Sequence, residues 1–423
     1  MADAYRTERR QGPHTEGNEP VREMSGLPRW FPARTTILAV ILALGPIAAA
    51  RVSAQSRMTV VPSVSVSTVY DDNLFASTQG DVGVMTRLRP SVEGNYESPT
   101  LTLLSLYSFD MQRSNHSALN SFGARRHGAV DLQRRTAAAN TFGLGLRYDR
   151  TDTPGELNGD TGFLGERRVA ERWEAVPAFA YRVRPRTTIS ASYAGISESL
   201  VDDIRGNLHI ARAGVSREVS TRDDVTVSYL GRHFVDALGS HTSHAALVAW
   251  TRELAFQTRL TLQGGPRHSV YQGITPEIVV GLTRSTNRVR IGVDYWHGET
   301  IVLGIRGPVA VDSANARLIW PVRPRVEIGT HLSASDSSTL DGEDARVYRA
   351  TLVGAWTPNG GPYTVSASYG GDVQRGVIRR TRLSQDRIMR HTFLVNVTIA
   401  PRLSRSFRPT GEPPVARPHG VAQ

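Results

Sequence analysis

The chain has no cysteine and no lysine among its 423 residues. Without cysteine there are no disulfides and no thiolate metal sites, which fits a cell-envelope protein. Without lysine, all 50 basic residues are arginine against 39 acidic ones, for a formal charge of +11. That bias marks GC-rich coding and not a function. The arginines are spread evenly and mixed with acids, with no aromatic-basic cluster, so nucleic acid is not an expected partner. GxSxG, HExxH and a phosphate-cradling glycine loop are missing too. The 12 histidines are scattered, with His241 and His244 the closest pair outside the tail. No catalytic residue, cofactor or metal site is therefore expected.

Long apolar runs are scarce. The single candidate, "ILAVILALGPIAAA" from Ile37 to Ala50, follows Arg34 and precedes Val52-Ser53-Ala54. At about 14 to 16 residues and broken by Gly45-Pro46, it is shorter than the roughly 20 residues of a spanning helix. Small residues at Val52 and Ala54 suit a signal peptidase, so residues 1–54 are predicted to be a signal peptide cleaved after Ala54. Its polar leader is long, and Met24 is an alternative start. No second apolar run follows. A membrane protein of this composition, 39% hydrophobic, would have to cross with strands, which show lipid only one residue in two.

The remaining chain alternates with a period of two. In "PRTTISASYAG", Ile189, Ala191 and Tyr193 share one face and Thr188, Ser190 and Ser192 the other. "TFGLGLRYDR", "NRVRIGVDYW" and "PYTVSASYGG" repeat the pattern. "LHIARAGV" and "HAALVAWT" do not resolve into two faces.

Two kinds of break alternate between these runs. Tight ones fall near "ESPT", "TAAAN", "RVRPR", "VSTRD", "ELAFQ", "RSTNR", "PVRPR" and "PNGGP". Longer polar stretches lie between them, among them "DDNLFASTQGD", "MQRSNHSALNSFGARR", "TDTPGELNGDTGFLGERR" and "HGETIVLGIRGP". The spacing predicts strands of about 10 to 13 residues in pairs. The fold class is thus all-β: a transmembrane antiparallel up-and-down barrel of about 18 strands (16–18), with short periplasmic turns and long external loops. A propeller would need four short strands per repeat, and a sandwich would not need the short-long alternation. The barrel is assigned to residues 55–401, and 402–423 to a disordered Pro- and Arg-rich tail.

Aromatic placement orients the strands. Tyr107, Tyr148, Tyr193, Tyr229, Tyr295 and Tyr369 come late in strands leading to long loops, while Trp320 and Trp356 come before short turns, as interfacial belts do. With the Tyr face towards lipid, Asp131, Arg147, Asp149, Arg290, Asp294, Arg317, Glu327, His331 and Arg349 point into the lumen as candidate pore-lining residues. A charge facing lipid would cost about 2 to 4 kcal/mol at mid-membrane. The lumenal charges either select what passes or pair across neighbouring strands and fill the barrel.

The first strand, "VPSVSVSTVY", runs into Asp71, Asp72 and Asn73. Such residues start an Asx turn, or lend two of the six or more oxygens that calcium takes. The stretch Tyr70-Asp71-Asp72-Asn73-Leu74-Phe75, past a signal segment and ahead of a long antiparallel series, resembles the β-barrel porins of Gram-negative bacteria. That family includes outer-membrane proteins associated with exopolysaccharide gene clusters. The resemblance implies a cell outer membrane location with lipid around the barrel. It suggests a porin-like conduit for exported polysaccharide or small solutes, with periplasmic export components as partners. The alternatives are a plugged structural or surface-binding barrel and an outer-membrane barrel enzyme whose loops bring acids and histidines together.

Overall fold

Alternating side chains and tight turns leave this chain one way to satisfy its backbone, which is to pair each strand with the next and close the ring. The computed structural model describes residues 56–401, except 78–79, 138, 160, 166, 201–204, 238, 256, 271, 304, 306, 340–343, 359–360 and 377–386. The predicted signal segment 1–54, with its alternative start at Met24, and the predicted tail 402–423 lie outside the described residues.

The strands are β1 (Arg57–Asp71), β2 (Gly83–Glu97), β3 (Leu101–Ser114), β4 (Ser121–Ala137), β5 (Asn140–Thr151) and β6 (Ala170–Arg184). Next come β7 (Thr187–Leu200), β8 (Arg205–Glu218), β9 (Asp223–Asp236), β10 (Gly239–Ala255), β11 (Thr258–Ser269) and β12 (Gly273–Ser285). The last are β13 (Arg290–Thr300), β14 (Val309–Arg323), β15 (Val326–Ser338), β16 (Asp344–Trp356), β17 (Tyr363–Arg375) and β18 (Ile388–Ile399). Each pairs antiparallel with its chain neighbour, and β18 pairs with β1, giving a closed barrel of 18 strands. Closure removes the edges that an open sheet would leave unpaired.

All eight tight breaks are turns, and they share one rim. Side chains fix several of them: the Ser98 hydroxyl accepts from Leu101 N at 3.0 Å, and the Thr286 hydroxyl accepts from Val289 N at 3.0 Å. The opposite, loop rim is uneven. Strands run to 17 residues, longer than the sequence pattern suggests, and absorb much of the supposed loops. "MQRSNHSALNSFGARR" is mostly the end of β3 and the start of β4. β9 and β10 are joined by residues 237–238 alone, and β11 and β12 by 270–272.

The exterior is apolar. Val64, Val66 and Tyr70 on β1 face outward beside Ile399, Val397 and Phe393 on β18, and all six are exposed. Tyr107, Tyr193, Tyr229, Tyr295 and Tyr369 are exposed towards the loop rim, and Trp320 and Trp356 towards the turn rim. Tyr148 is covered by Trp173, whose ring centroid lies 4.2 Å away.

That "LHIARAGV" and "HAALVAWT" do not separate into two faces has a physical explanation. On β7 to β10 the inward face is apolar as well: Ile196, Leu208 and Phe234 form one buried cluster, and Leu230, Ala245 and Leu247 another, with Ile210 against both. Apolar residues on both faces erase the alternation that marks a half-buried strand.

Candidate functional site

The register sorts the inner wall residue by residue. On β4 and β5, His127 faces Asp149 with Nδ1 2.5 Å from Oδ1, Arg147 stands opposite Ala129 and, on β6, Glu174, and Asp131 stands opposite Gly145. Across β13 to β15, Arg290 donates to Glu327 at 3.0 Å, Asn315 donates to Asp294 at 2.9 Å, and Arg317 stands opposite His331. On β16 and β17, Arg349 donates to Asp372 at 2.5 Å. The nine candidates therefore fall into two sectors, β4–β5 and β13–β16, and these ion pairs and hydrogen bonds join strands that are adjacent or next but one along the wall.

Two loops from the rim turn inward, where the sequence suggested external loops. The longer one, between β5 and β6, starts at Asp152. Arg125 donates to its carboxylate at 3.0 Å, Arg167 at 2.8 Å and Gln112 at 3.3 Å. Arg125 also donates to Glu156, which accepts from the Thr151 hydroxyl at 2.9 Å. Desolvation alone would raise the Asp152 carboxyl, but Arg125 and then Arg167 hold it well below the usual carboxylate range. Glu156 is lowered in the same way, with Arg125 and Arg87 outweighing desolvation.

From this anchor the loop reaches the far wall. The Ser335 hydroxyl on β15 donates to Thr161 O, and Leu164 N donates to Gln374 Oε1 on β17 at 2.8 Å. Phe163 packs with Val309 and Val311 of β14 and Ala345 of β16, whose side chains face the interior. In a ring of 18 strands, β5 and β15 are almost diametrically opposite. The segment Asp152–Leu164 therefore crosses the lumen.

The second inward loop, between β13 and β14, meets it midway: Leu303 N donates to Asn158 Oδ1 at 2.9 Å. Val302 and Leu303 are buried, and Gly307 N donates to Asp236 Oδ2 on β9 at 2.5 Å. The physical reason is apolar content. Phe163, Leu164, Val302 and Leu303 sit at 2 to 7% exposure, surface that an external loop would leave in water. That was the available signal: "GFLG" and "TIVLGI" are too apolar for polar loops, although period and spacing cannot say which way a loop turns.

The wall around this crossing carries ionic groups that strand patterning missed. Arg89 and Asp110 pair doubly, at 2.5 and 2.9 Å, and Arg125 lies 3.3 Å from the same carboxylate. On the opposite side, Arg232 is bound to both oxygens of Glu277, and Arg267 lies 3.8 Å from Glu277 and from Glu299. These four side chains are at most 4% exposed. The lumen near the loop rim is thus ionic on its wall and apolar where the loops meet.

The stretch Tyr70 to Phe75 joins the two ends of the barrel. Asp71 is fully buried and takes the Arg390 guanidinium of β18, with Nη2 2.6 Å from Oδ2. Asp72 Oδ1 accepts from His391 N at 2.6 Å. Asn73 N donates to Asp71 Oδ1 at 3.1 Å in an Asx turn, and its amide reaches Ser77 O and, on β18, Met389 O. Leu74 packs with Val69 and Met85, and Phe75 stands edge-on to His116 with centroids 5.7 Å apart. Tyr70 faces outward. Among the described residues no group of three His, Asp or Glu is placed to hold a metal ion.

A closed barrel with an apolar exterior, aromatic residues near both rims and ion pairs along much of its inner wall is a transmembrane β-barrel of the outer-membrane type. No family model and no curated protein matches the chain. Solved structures with similar folds include Pseudomonas aeruginosa OpdQ, at 13% identity and TM-score 0.44, covering 81% of this chain and 98% of that one. P. aeruginosa OccK7 (OpdD) is similar at 12% identity and TM-score 0.45, with coverage of 81% and 98%. A loop-deletion mutant of OmpT, an outer membrane protein of Vibrio cholerae, is similar at 12% identity and TM-score 0.39, with coverage of 82% and 99%. The likeness is one of barrel architecture alone.

Proposed function

We propose that the protein is a porin-like conduit of the outer membrane for small polar solutes, with a bore set by the Asp152–Leu164 segment. The observation that carries this reading is the course of that segment across the lumen. A ring of this many strands is too wide for its own side chains to fill and leaves an aqueous channel. A chain segment held across such a channel narrows it and adds its own chemistry at the narrowest point. Asp131, Arg147, Asp149, Arg290, Asp294, Arg317, Glu327, His331 and Arg349 are the proposed wall along which a charged solute is sorted. Residues 1–54 are the proposed export signal.

Passage of a polysaccharide is the finer reading. It is supported by an uncharged patch in the turn half of β17, β18 and β1, where Thr364 and Ser366 stand beside Thr398 and Asn396, which stand in turn beside Ser65 and Ser67. Hydroxyl and amide groups suit a neutral sugar chain. This passage requires the crossing segment to swing aside.

Single-channel conductance of the refolded barrel in a planar bilayer tests the proposal. The intact chain conducts in small steps, and replacement of residues 155–163 by a short Gly-Ser linker enlarges the step several-fold. A folded barrel that conducts in neither form overturns the conduit.

A further inference from the structure

The outer surface carries a row of histidines that the conduit does not use. Four consecutive strands each present one outward, near the loop rim: His209 on β8, His233 on β9, His244 on β10 and His268 on β11. His209 and His233 are register partners with stacked rings 6.2 Å apart. His244 and His268 are register partners too. Tyrosines orient two of the rings: the Tyr193 hydroxyl lies 2.5 Å from His209 Nδ1, and the Tyr229 hydroxyl 2.5 Å from His244 Nδ1. With Nδ1 engaged by the phenol, each ring keeps its Nε2 edge free to face the surroundings as an N–H donor. Each tyrosine reaches its histidine across a glycine. A Cβ on Gly195 would meet the Tyr193 ring at 3.4 Å, and one on Gly231 would meet the Tyr229 hydroxyl at 3.3 Å.

The charge around the row has one sign. Outward positions in the loop half of β7 to β12 hold no carboxylate among the described residues, while Arg205 is exposed at the head of β8. The acids in the loop half of these strands, Glu198, Asp236 and Glu277, alternate to the inner face. Elsewhere on the exterior the pattern differs. His297 and Tyr295 share Asp312 at 2.8 and 2.6 Å, and Arg346 donates to Asp336 at 2.8 Å. The β13–β16 sector is therefore neutralised from within the chain, whereas among the described residues the outward face of β8–β11 carries no such acid near its histidines. The bare sector is also where the rim connections shrink to residues 237–238 and 270–272, leaving little chain to overhang it.

We propose that His209, His233, His244, His268 and Arg205 form a binding surface for the phosphate headgroup of an outer-leaflet lipid. Imidazole N–H donors and a guanidinium suit phosphate oxygens, and hydrogen bonds to that anion are charge-assisted. At the level of the tyrosine belt the row meets headgroups, not hydrocarbon, so its polar atoms carry no penalty of burial in the apolar core. The proposal rests on the barrel spanning a membrane and is independent of what the lumen passes.

Native mass spectrometry of the refolded protein, released from mixed micelles of phosphatidic acid and phosphatidylcholine, tests it. The unaltered protein retains phosphatidic acid preferentially. Changing all four histidines to Leu lowers the ratio of the two retained lipids about tenfold, as expected for the loss of two or so charge-assisted hydrogen bonds. His297→Leu leaves the ratio unchanged. Heat-modifiable migration in gels reports folding, and if the quadruple variant does not fold, the pair His244→Leu and His268→Leu carries the test with a smaller drop. An unchanged ratio overturns the proposal. So does displacement of the lipid by equimolar inorganic phosphate, which makes the site one for free anion. A variant that alters only the number of subunits per particle makes the face a contact between copies, and overturns it as well.

Discussion

Asp71 and Arg390 stand 319 positions apart in the chain and are bound side by side, the guanidinium Nε 3.1 Å from both carboxylate oxygens. They join the first strand to the last. Asp71 is fully buried and Arg390 largely so, and removing one partner strands a charge. Breaking such a pair costs about 3–5 kcal/mol. Asp71→Ala should lower the stability of the refolded barrel by that order in urea titrations in micelles, and Asp71→Ala with Arg390→Met should recover part of it. A double variant no better than the single would remove the pair from the account of closure.

The inward anchor of the β5–β6 loop should resist acid. Against desolvation, Arg125 and Arg167 hold the Asp152 carboxyl below its ordinary range. A depressed carboxylate contributes its stabilisation above the unfolded value and loses it only as pH falls through the lower, folded one. The closed conductance level should therefore stay constant from about pH 7 to about pH 4 and rise only in stronger acid. Asp152→Asn should bring the rise to neutral pH.

Asn158 ties the two inward loops together through Leu303 N and also donates to Phe163 O at 3.4 Å. Asn158→Ala removes both bonds and leaves a buried amide without its acceptor, at a cost of about 1–3 kcal/mol. Single-channel records of the variant should show more frequent excursions to a larger conductance, with the strand content in circular dichroism unchanged.

Gly265 on β11 lies against the backbone of β10 at Ala246 and Leu247. A Cβ there would stand 1.8 Å from Ala246 O, a backbone atom that no side-chain movement relieves. Gly265→Ala should cost about 1–3 kcal/mol through overpacking or more. Gly292→Ala, with nothing within 4 Å, should be close to neutral in the same unfolding assay.

The turn rim was legible in the sequence because its chemistry is local. Pro185, Pro324 and the Pro358-to-Pro362 stretch mark three of the reversals, and the hydroxyls of Ser98 and Thr286 close their own turns. The outward faces of β7, β13 and β17 were legible because lipid on one side and a polar lumen on the other impose strict alternation. β8 and β10 were not, because Leu208, Leu230 and Leu247 pack inward on an apolar wall. The crossing segment was out of reach for another reason: its anchors, Arg125 at one end and Ser335 and Gln374 at the other, are separated in sequence and meet only once the ring has closed.

β1 holds β2 through 15 residue pairs but β18 through only eight, from Val64 to Asp71. In time, this is the ladder that no hairpin turn brings together, and the loop it closes is nearly the whole chain. Its formation is the entropically hardest step and the natural last one. A strand end carrying Asp71, Asp72 and Asn73 then works as a clasp. The register is set by a charge pair and by bonds to His391 N and Met389 O that a slip of one residue would turn to the wrong face.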